Sequence, residues 1–536
     1  MGEIKLLDCT LRDGGYVNDW EFGHNNLISI FERMVGAGVD IIEIGFLDDR
    51  RSFDINRSIM PDTESVAKIY GNLDRKQAMV VGMIDYGTCS IEQIQPCDQS
   101  YLDGIRVIFK KHIRWQAIDF CRQLKELGYQ VFVQLVSITS YEDEELMDLI
   151  HLANDLEPYA VSMVDTYGLM HQENLMHYYE LLNQHLKPSI GVGYHSHNNF
   201  QMAYANCIEM LSHETDRMVL VDGTIYGMGK SAGNAPIELL SMHLNDRYGK
   251  HYDISQMLEA VDANVMPIFK MTPWGYNMFF FIAASNDCHP NYVSYLMDKQ
   301  TLSVKSINEI LAKLEGEQQL MYDQKLIEQL YLDYQNIEVN DEQDIAELTE
   351  QFKDRNVLLL GPGLNVQKQF DRIKTYVEQK QPVIVSVNFI SGELKTDYVF
   401  LSNSKRYVQL ATALSQNPSL KVIATSNVTK TDGRFDYTLQ YSSLLDQEAD
   451  GVCMDNSFVM LLKVMKKIGV KSVALGGFDG YMGDKKQNYI NAYMEYNFSN
   501  DHAEKLNRYV ANVLTEIKQD LDLTFITDSY YTGAVN

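Results

Sequence analysis

IKLLDCTLRDGG, Ile4–Gly15, is the stretch from which the architecture can be read. Ile4–Asp8 is a short apolar run, and it passes directly into Thr10, Arg12 and Asp13, then two glycines. An unbroken apolar run of this length reads as a strand buried on both faces, as in parallel sheets. Working outward, the same unit recurs through roughly the first 240 residues: Asp40–Phe46, Ala78–Ile84, Gly104–Phe109, Gln130–Val136, Ala160–Val164, Ile190–His195 and Met218–Asp222. Helical patterns such as Trp115–Leu127 and Glu142–Asn154 lie between them. Eight strand–helix units in that length predict an α/β fold of the TIM type, a (β/α)8 barrel, with a doubly wound sheet as the alternative.

Beyond the barrel, assigned to residues 1–245, the pattern changes. Ile307–Glu315, Gln324–Tyr334 and Glu342–Phe352 read as amphipathic helices, so 246–350 is expected to be a helical extension and linker. A strand–loop–helix pattern then opens at Asn356 with NVLLLGPGLNVQKQF. Further apolar runs at Val383–Asn388, Tyr398–Ser402, Val422–Thr425 and Val473–Gly476 predict a smaller Rossmann-like α/β domain over 351–536.

Composition narrows the function. The chain of 536 residues is 45% hydrophobic and 22% charged, which excludes a disordered protein. Its 73 acidic and 46 basic residues give a net charge of -27, which speaks against nucleic acid or an anionic membrane as a partner. The 7 cysteines form no CxxC pair, so neither a disulfide scaffold nor a cysteine zinc site is expected. No signal-like leader and no membrane-length apolar run is found, and a cytoplasmic location is the default.

In a TIM barrel the chemistry sits at the C-terminal strand ends. Polar residues collect there: Arg12 and Asp13 after the first strand, Glu43 in the second, and Asp85, Asp165, His195, His197 and Asp222 at later ones. Buried charges need a partner or a metal. His195 and His197 are two residues apart and can share a face. An H-x-H pair alone is compatible with two satisfied loop histidines. With Asp13 on the same rim it forms a two-histidine, one-carboxylate set, which suits an octahedral divalent ion. Mn2+ or Mg2+ is expected ahead of Zn2+ or Co2+.

LLDCTLRDGG, EIGF, VDTYG, GYHSHNN and GMGKSAGNAPIE, in this order, resemble the DRE-TIM metallolyases. This pyruvate-carboxyltransferase-like family includes 4-hydroxy-2-oxovalerate aldolases, hydroxymethylglutaryl-CoA lyases, and isopropylmalate and homocitrate synthases. The resemblance covers residues 1 to about 345 and implies Asp13, His195, His197 and Asn234 as metal ligands. It implies Arg12 at the substrate oxygen that becomes an enolate, with Glu43 orienting Arg12 or the metal shell. Asp165, Thr166 and His289 are taken as substrate-facing. A 2-oxo acid and an aldehyde are the implied small-molecule partners, and a homodimer the implied assembly. The chain departs from its relatives at Tyr16, where the aldolases carry a histidine. The general base therefore stays open among Tyr16, a water and His24. Thr224-Ile225-Tyr226 replaces the lyase cysteine, and Gly15-Tyr16 lacks the acidic residue of the acyl-CoA-dependent Claisen-type synthases. An aldolase acting on a hydroxy-oxo acid fits best, with such a synthase as an alternative. GMGKS misses the P-loop spacing by one residue and reads as an active-site loop.

In the second domain, LLLGPGLN with YVFLSN and the later GVKSVALGGFDGY resembles sialyltransferase-like and hydroxymethylpterin-diphosphokinase-like domains. That likeness implies a nucleotide-facing site with Gly361, Gly363, Asn403 and Asp479. It raises the alternative of a bifunctional protein whose second domain is a nucleotide-sugar-dependent transferase of surface-polysaccharide assembly. A glycine turn opening a helix favours phosphate in general, although a tight turn without ligand has the same sequence.

Overall fold

A computed structural model of the protein describes residues 2–431, 433–447, 453–483, 488–491, 494 and 499–535. They divide into two compact units, Met1–Pro290 and Asn291–Asn536. The division falls inside the segment expected to be a helical extension.

The first unit is a closed barrel of eight parallel strands. These are β1 (Ile4–Asp8), β2 (Ile41–Leu47), β3 (Met79–Asp85), β4 (Gly104–Phe109), β5 (Gln130–Val136), β6 (Ala160–Asp165), β7 (Gly191–Ser196) and β8 (Val219–Gly223). Each pairs with its neighbour in chain order, and pairing of β8 with β1 closes the ring. A two-residue strand, Ile59–Met60, adds to β2. The strand interiors are almost wholly buried, as the unbroken apolar runs require. Helices between the strands, including His24–Ala37, Arg114–Glu126 and Asp143–Leu156, bury one face each against the sheet.

Gly45, in the EIGF motif, has a local reason. Its φ is +142° and an added Cβ would lie 1.9 Å from the Ser58 carbonyl oxygen. The register of β2 shifts between Glu43 and Phe46, and Phe46 donates to that carbonyl at 3.0 Å. The bulge follows Glu43 and turns the end of β2 beside the loop that follows β1.

After β8 the first unit continues in helices to Pro290, among them Ile254–Ala260, Met266–Met271 and Met278–Ser285. The second unit begins with helices, including Val304–Leu311, Gln324–Gln335 and Glu342–Phe352. Its parallel sheet comprises β9 (Val357–Leu360), β10 (Val383–Val387), β11 (Tyr398–Leu401), β12 (Lys421–Thr425), β13 (Tyr437–Leu439), β14 (Ser472–Gly476) and β15 (Asp522–Phe525). The strand order is β13-β12-β11-β10-β9-β14-β15, so the winding reverses between β9 and β14. The edge strands β13 and β15 were not among the expected runs. Among the described residues, no helix is long and apolar enough to cross a membrane.

Candidate active site

The loop after β1 is drawn tightly back onto the barrel. Asp13 N donates to Cys9 O at 2.8 Å, Trp20 Nε1 to Arg12 O at 2.7 Å, and Ser58 Oγ to Leu11 O at 2.6 Å. Gly15 lies under the Trp20 ring, where a Cβ would come within 2.0 Å of it. Arg12 and Asp13 are thereby buried at the mouth of the barrel.

There they meet His195 in β7 and His197 just after it. His195 Nε2 lies 3.7 Å from Asp13 Oδ1 and His197 Nε2 3.5 Å from Asp13 Oδ2. The rings are 5.1 Å apart and nearly perpendicular. Each imidazole is held through its other nitrogen. His195 Nδ1 is 3.0 Å from Asp222 Oδ2, and His197 Nδ1 is 2.8 Å from the Asp165 carbonyl oxygen. Fixing Nδ1 in this way aims Nε2 at a common point. Asn234 donates to Asp13 Oδ2 at 2.7 Å and pairs with His197 in a β-bridge.

Around Asp13, His195 Nε2, His197 Nε2 and Asn234 Oδ1 are buried and lack hydrogen-bond partners. Buried polar atoms are rarely left so. Two unpartnered imidazole nitrogens facing one carboxylate fit a divalent cation, and Asp13, His195 and His197 can offer one ligand atom each to the same ion. Cys9, His195 and Asp222 also cluster. Burial, however, pushes the Cys9 thiol well above its ordinary value, which keeps it protonated and a poor ligand. Burial alone would raise Asp13, but Arg12 and the two imidazoles pull it well below the carboxylate range. His195 is raised against the effect of burial by Asp13 and Asp222, and His197 is lowered by burial.

The sequence reading missed Arg106. It points into the barrel from β4 and is fully buried. Arg106 donates to Glu43 Oε2 at 3.0 Å, to Gln134 Oε1 at 2.9 Å and to Asp222 Oδ2 at 2.5 Å. Glu43 Oε2 accepts in turn from Arg12 Nε at 2.8 Å, and Arg12 donates to Asp13 Oδ1 at 2.5 Å. One chain of alternating charge thus runs Asp13–Arg12–Glu43–Arg106–Asp222–His195. The other missed residue is Lys230, in GMGKSAGN. Its amide donates to Asp13 Oδ2 at 3.1 Å. Gly229 leaves the room this needs, since a Cβ there would lie 2.6 Å from the same oxygen. The glycines of GMGKSAGN wrap the loop around Asp13.

The remaining candidates fall in different places. Tyr16 stands at the rim against Trp20, 42% exposed, with its hydroxyl pushed up to about 12 by desolvation and the Asp13 charge. At neutral pH its hydroxyl stays protonated. His24 opens the helix His24–Ala37, its amide bonded to Asn56. Asp85 is exposed at the end of β3. The Asp165 carboxylate turns into its own loop, accepting from Leu169 N and Met170 N at 2.8 and 3.1 Å. Thr166 Oγ1 accepts from Ser137 N at 2.8 Å. These bonds give both side chains a loop-fixing job. His289 stacks edge-on to Tyr167 at 6.0 Å, and burial and Lys230 press it down to about 4, so it is neutral at pH 7.

In the second unit, Gly363, Asn403 and Asp479 line a cavity of about 1290 Å³ at the reversal between β9 and β14, whereas Gly361 does not reach it. A Cβ on Gly361 or on Gly363 would lie 2.5 Å from the Gly477 carbonyl oxygen. The glycines of this turn are therefore required by packing against the loop after β14. Asp479 Oδ2 accepts from Asn365 N at 2.8 Å, which places a carboxylate where the sequence suggested a phosphate. Asn403 caps the helix Ser404–Gln416.

Residues 3–263 match the HMGL-like family. This segment is an HMGL-like domain of DRE-TIM type, from an enzyme family of aldolases and lyases. Oxaloacetate decarboxylase of Mycobacterium tuberculosis is 26% identical over 297 residues, 52% of this chain and 82% of the relative. A 4-hydroxy-2-oxovalerate aldolase of Bacillus cereus is 26% identical over 272 residues, 49% of this chain and 76% of the relative. The solved N-terminal domain of a Bacteroides vulgatus protein overlays with a TM-score of 0.47 at 23% identity, over 57% of this chain and 99% of that one.

Replacing Arg106 by Met removes the cation that Glu43 and Asp222 share, leaving Glu43 to Arg12 alone and Asp222 to His195. The expected loss is about 3–5 kcal/mol of barrel stability. Urea unfolding followed by tryptophan fluorescence reads this unit alone, because Trp20, Trp115 and Trp274 all lie in it.

Proposed function

We propose that the first unit is a divalent-metal-dependent aldolase that makes or breaks a carbon–carbon bond next to a 2-oxo acid, through a pyruvate-type enolate. The observation that carries this reading is that unpartnered His195 Nε2 and His197 Nε2 both face the Asp13 carboxylate, close enough for all three to share one ion. Mn2+ or Mg2+ bound there would supply Lewis-acid stabilisation of enolate charge. The chain's own residues supply the rest. Arg12, anchored by Glu43, presents a guanidinium beside Asp13, where enolate charge would gather. Tyr16, protonated throughout the neutral range, donates a hydrogen bond to a substrate oxygen at the rim. His289, neutral at pH 7 and packed edge-on against Tyr167, is taken as the group that accepts the hydroxyl proton. The names of the relatives support the reading. Cleaving a 4-hydroxy-2-oxo acid and decarboxylating oxaloacetate both leave the enolate of pyruvate.

Asp13→Asn or His197→Ala should abolish Mn2+ binding and lower pyruvate–aldehyde condensation by at least about a thousandfold, measured by mass detection of the products. Turnover by metal-stripped Asp13→Asn protein would contradict the proposal.

For the second unit we infer a separate ligand site at the β9–β14 reversal, the usual place for a ligand in a wound sheet. A nucleotide-linked sugar is the proposed class. Because Asp479 already satisfies the Asn365 amide, recognition would fall on the nucleoside or sugar and less on the phosphates. CMP or a CMP-linked sugar should raise the melting temperature of the full chain while inorganic diphosphate does not. No shift with any nucleotide would argue against it.

A further inference from the structure

Lys230 stands out as a largely desolvated cation that Asp13 attracts only from a distance. Its backbone is tied to Asp13, and its Nζ lies 5.6 Å from the centre of the Tyr16 ring and 5.7 Å from that of Tyr167. Among the described residues no carboxylate lies within 4.0 Å of its ammonium to form an ion pair. Cation–π contacts offset only part of the cost of taking an ammonium out of water.

Topology locates the charge. Tyr16 follows β1, Tyr167 follows β6 and Lys230 follows β8, and the strands run β1-β8-β7-β6 around the barrel. A side chain from the β8 loop lying between rings from the β1 and β6 loops spans the mouth over the ends of β7 and β8. His195 and His197 come from that end of β7. Arg12 and the Asp13–His195–His197 set are deep in the same mouth, and Lys230 stands one lysine side chain away from Asp13.

We infer that Lys230 is a specificity residue that binds a second anionic group on the substrate, at the end away from the 2-oxo acid. The substrate class is then a 2-oxo acid, or the aldol built from it, whose far arm carries a carboxylate or a phosphate. A neutral alkyl arm would leave the ammonium desolvated and unpaired. A charged arm would give it a charge-assisted hydrogen bond. This rests on the 2-oxo acid reading above and narrows it.

The test is calorimetric binding of three 2-oxo acids to the full-length protein with Mn2+. They are 2-oxobutyrate with a neutral tail, 2-oxoglutarate with a second carboxylate and 3-phosphohydroxypyruvate with a phosphate. The wild type should bind at least one of the doubly anionic acids about tenfold to a hundredfold tighter than 2-oxobutyrate. Whichever is preferred identifies carboxylate or phosphate as the group recognised. Lys230→Met should remove that preference while leaving 2-oxobutyrate affinity within about twofold, and Lys230→Arg should keep part of it. Equal affinity for all three acids in the wild type overturns the inference. So does a Lys230→Met variant that weakens all three equally, since that would mark a structural role. If 2-oxobutyrate binds neither the wild type nor any variant, or binds Asp13→Asn as well as wild type, the 2-oxo acid reading itself fails and this inference falls with it.

Discussion

A single buried guanidinium holds the site in register. Arg106 lies inside the barrel and bonds Glu43 from β2 and Asp222 from β8 at once. Through Glu43 it fixes Arg12, and through Asp222 it fixes the ring of His195. Two carboxylates this deep would be untenable without a shared cation. With it, they become orienting groups for residues at the mouth. At the mouth above this layer, His195 Nε2 and His197 Nε2 are left unpartnered beside Asp13.

The barrel supplies the geometry that this network exploits. Parallel strands bring their C-terminal ends to one rim, so residues from β1, β2, β4, β7 and β8 gather although they are far apart in sequence. Two close backbone approaches make the gathering possible. The bulge at Gly45 turns the end of β2 beside the β1 loop, and Gly229 lets the GMGKSAGN loop close on Asp13. Each is a place where a methyl group would strike backbone or carboxylate.

Much of this was legible in the sequence. The eight apolar runs match the eight barrel strands within a residue or two, because strands buried on both faces must be apolar throughout. Arg12, Asp13, His195 and His197 were legible because charged residues directly after such runs have few structural explanations. Arg106 was not. A lone arginine within Gly104–Phe109 looks like an outward-facing residue, and its partners are 63 and 116 positions away. Lys230 was hidden by its glycine-rich setting, which reads as a flexible loop. In the second unit the Gly361–Gly363 turn looked like a phosphate cradle, while the structure uses it for contact with Gly477. A glycine's sequence context reveals that something comes close, without revealing what. The edge strands β13 and β15 escaped notice because each has a neighbour on one side only and needs no unbroken apolar run.

The central claim is that the first unit holds two imidazoles and one carboxylate ready for a divalent ion. Pulsed electron paramagnetic resonance of the Mn2+-loaded protein reads the ligands directly. The expected result is modulation from two histidine nitrogens in the wild type, and loss of the bound-Mn2+ signal in His197→Ala. A Mn2+ signal with no nitrogen coupling, or one unchanged in His197→Ala, would contradict it.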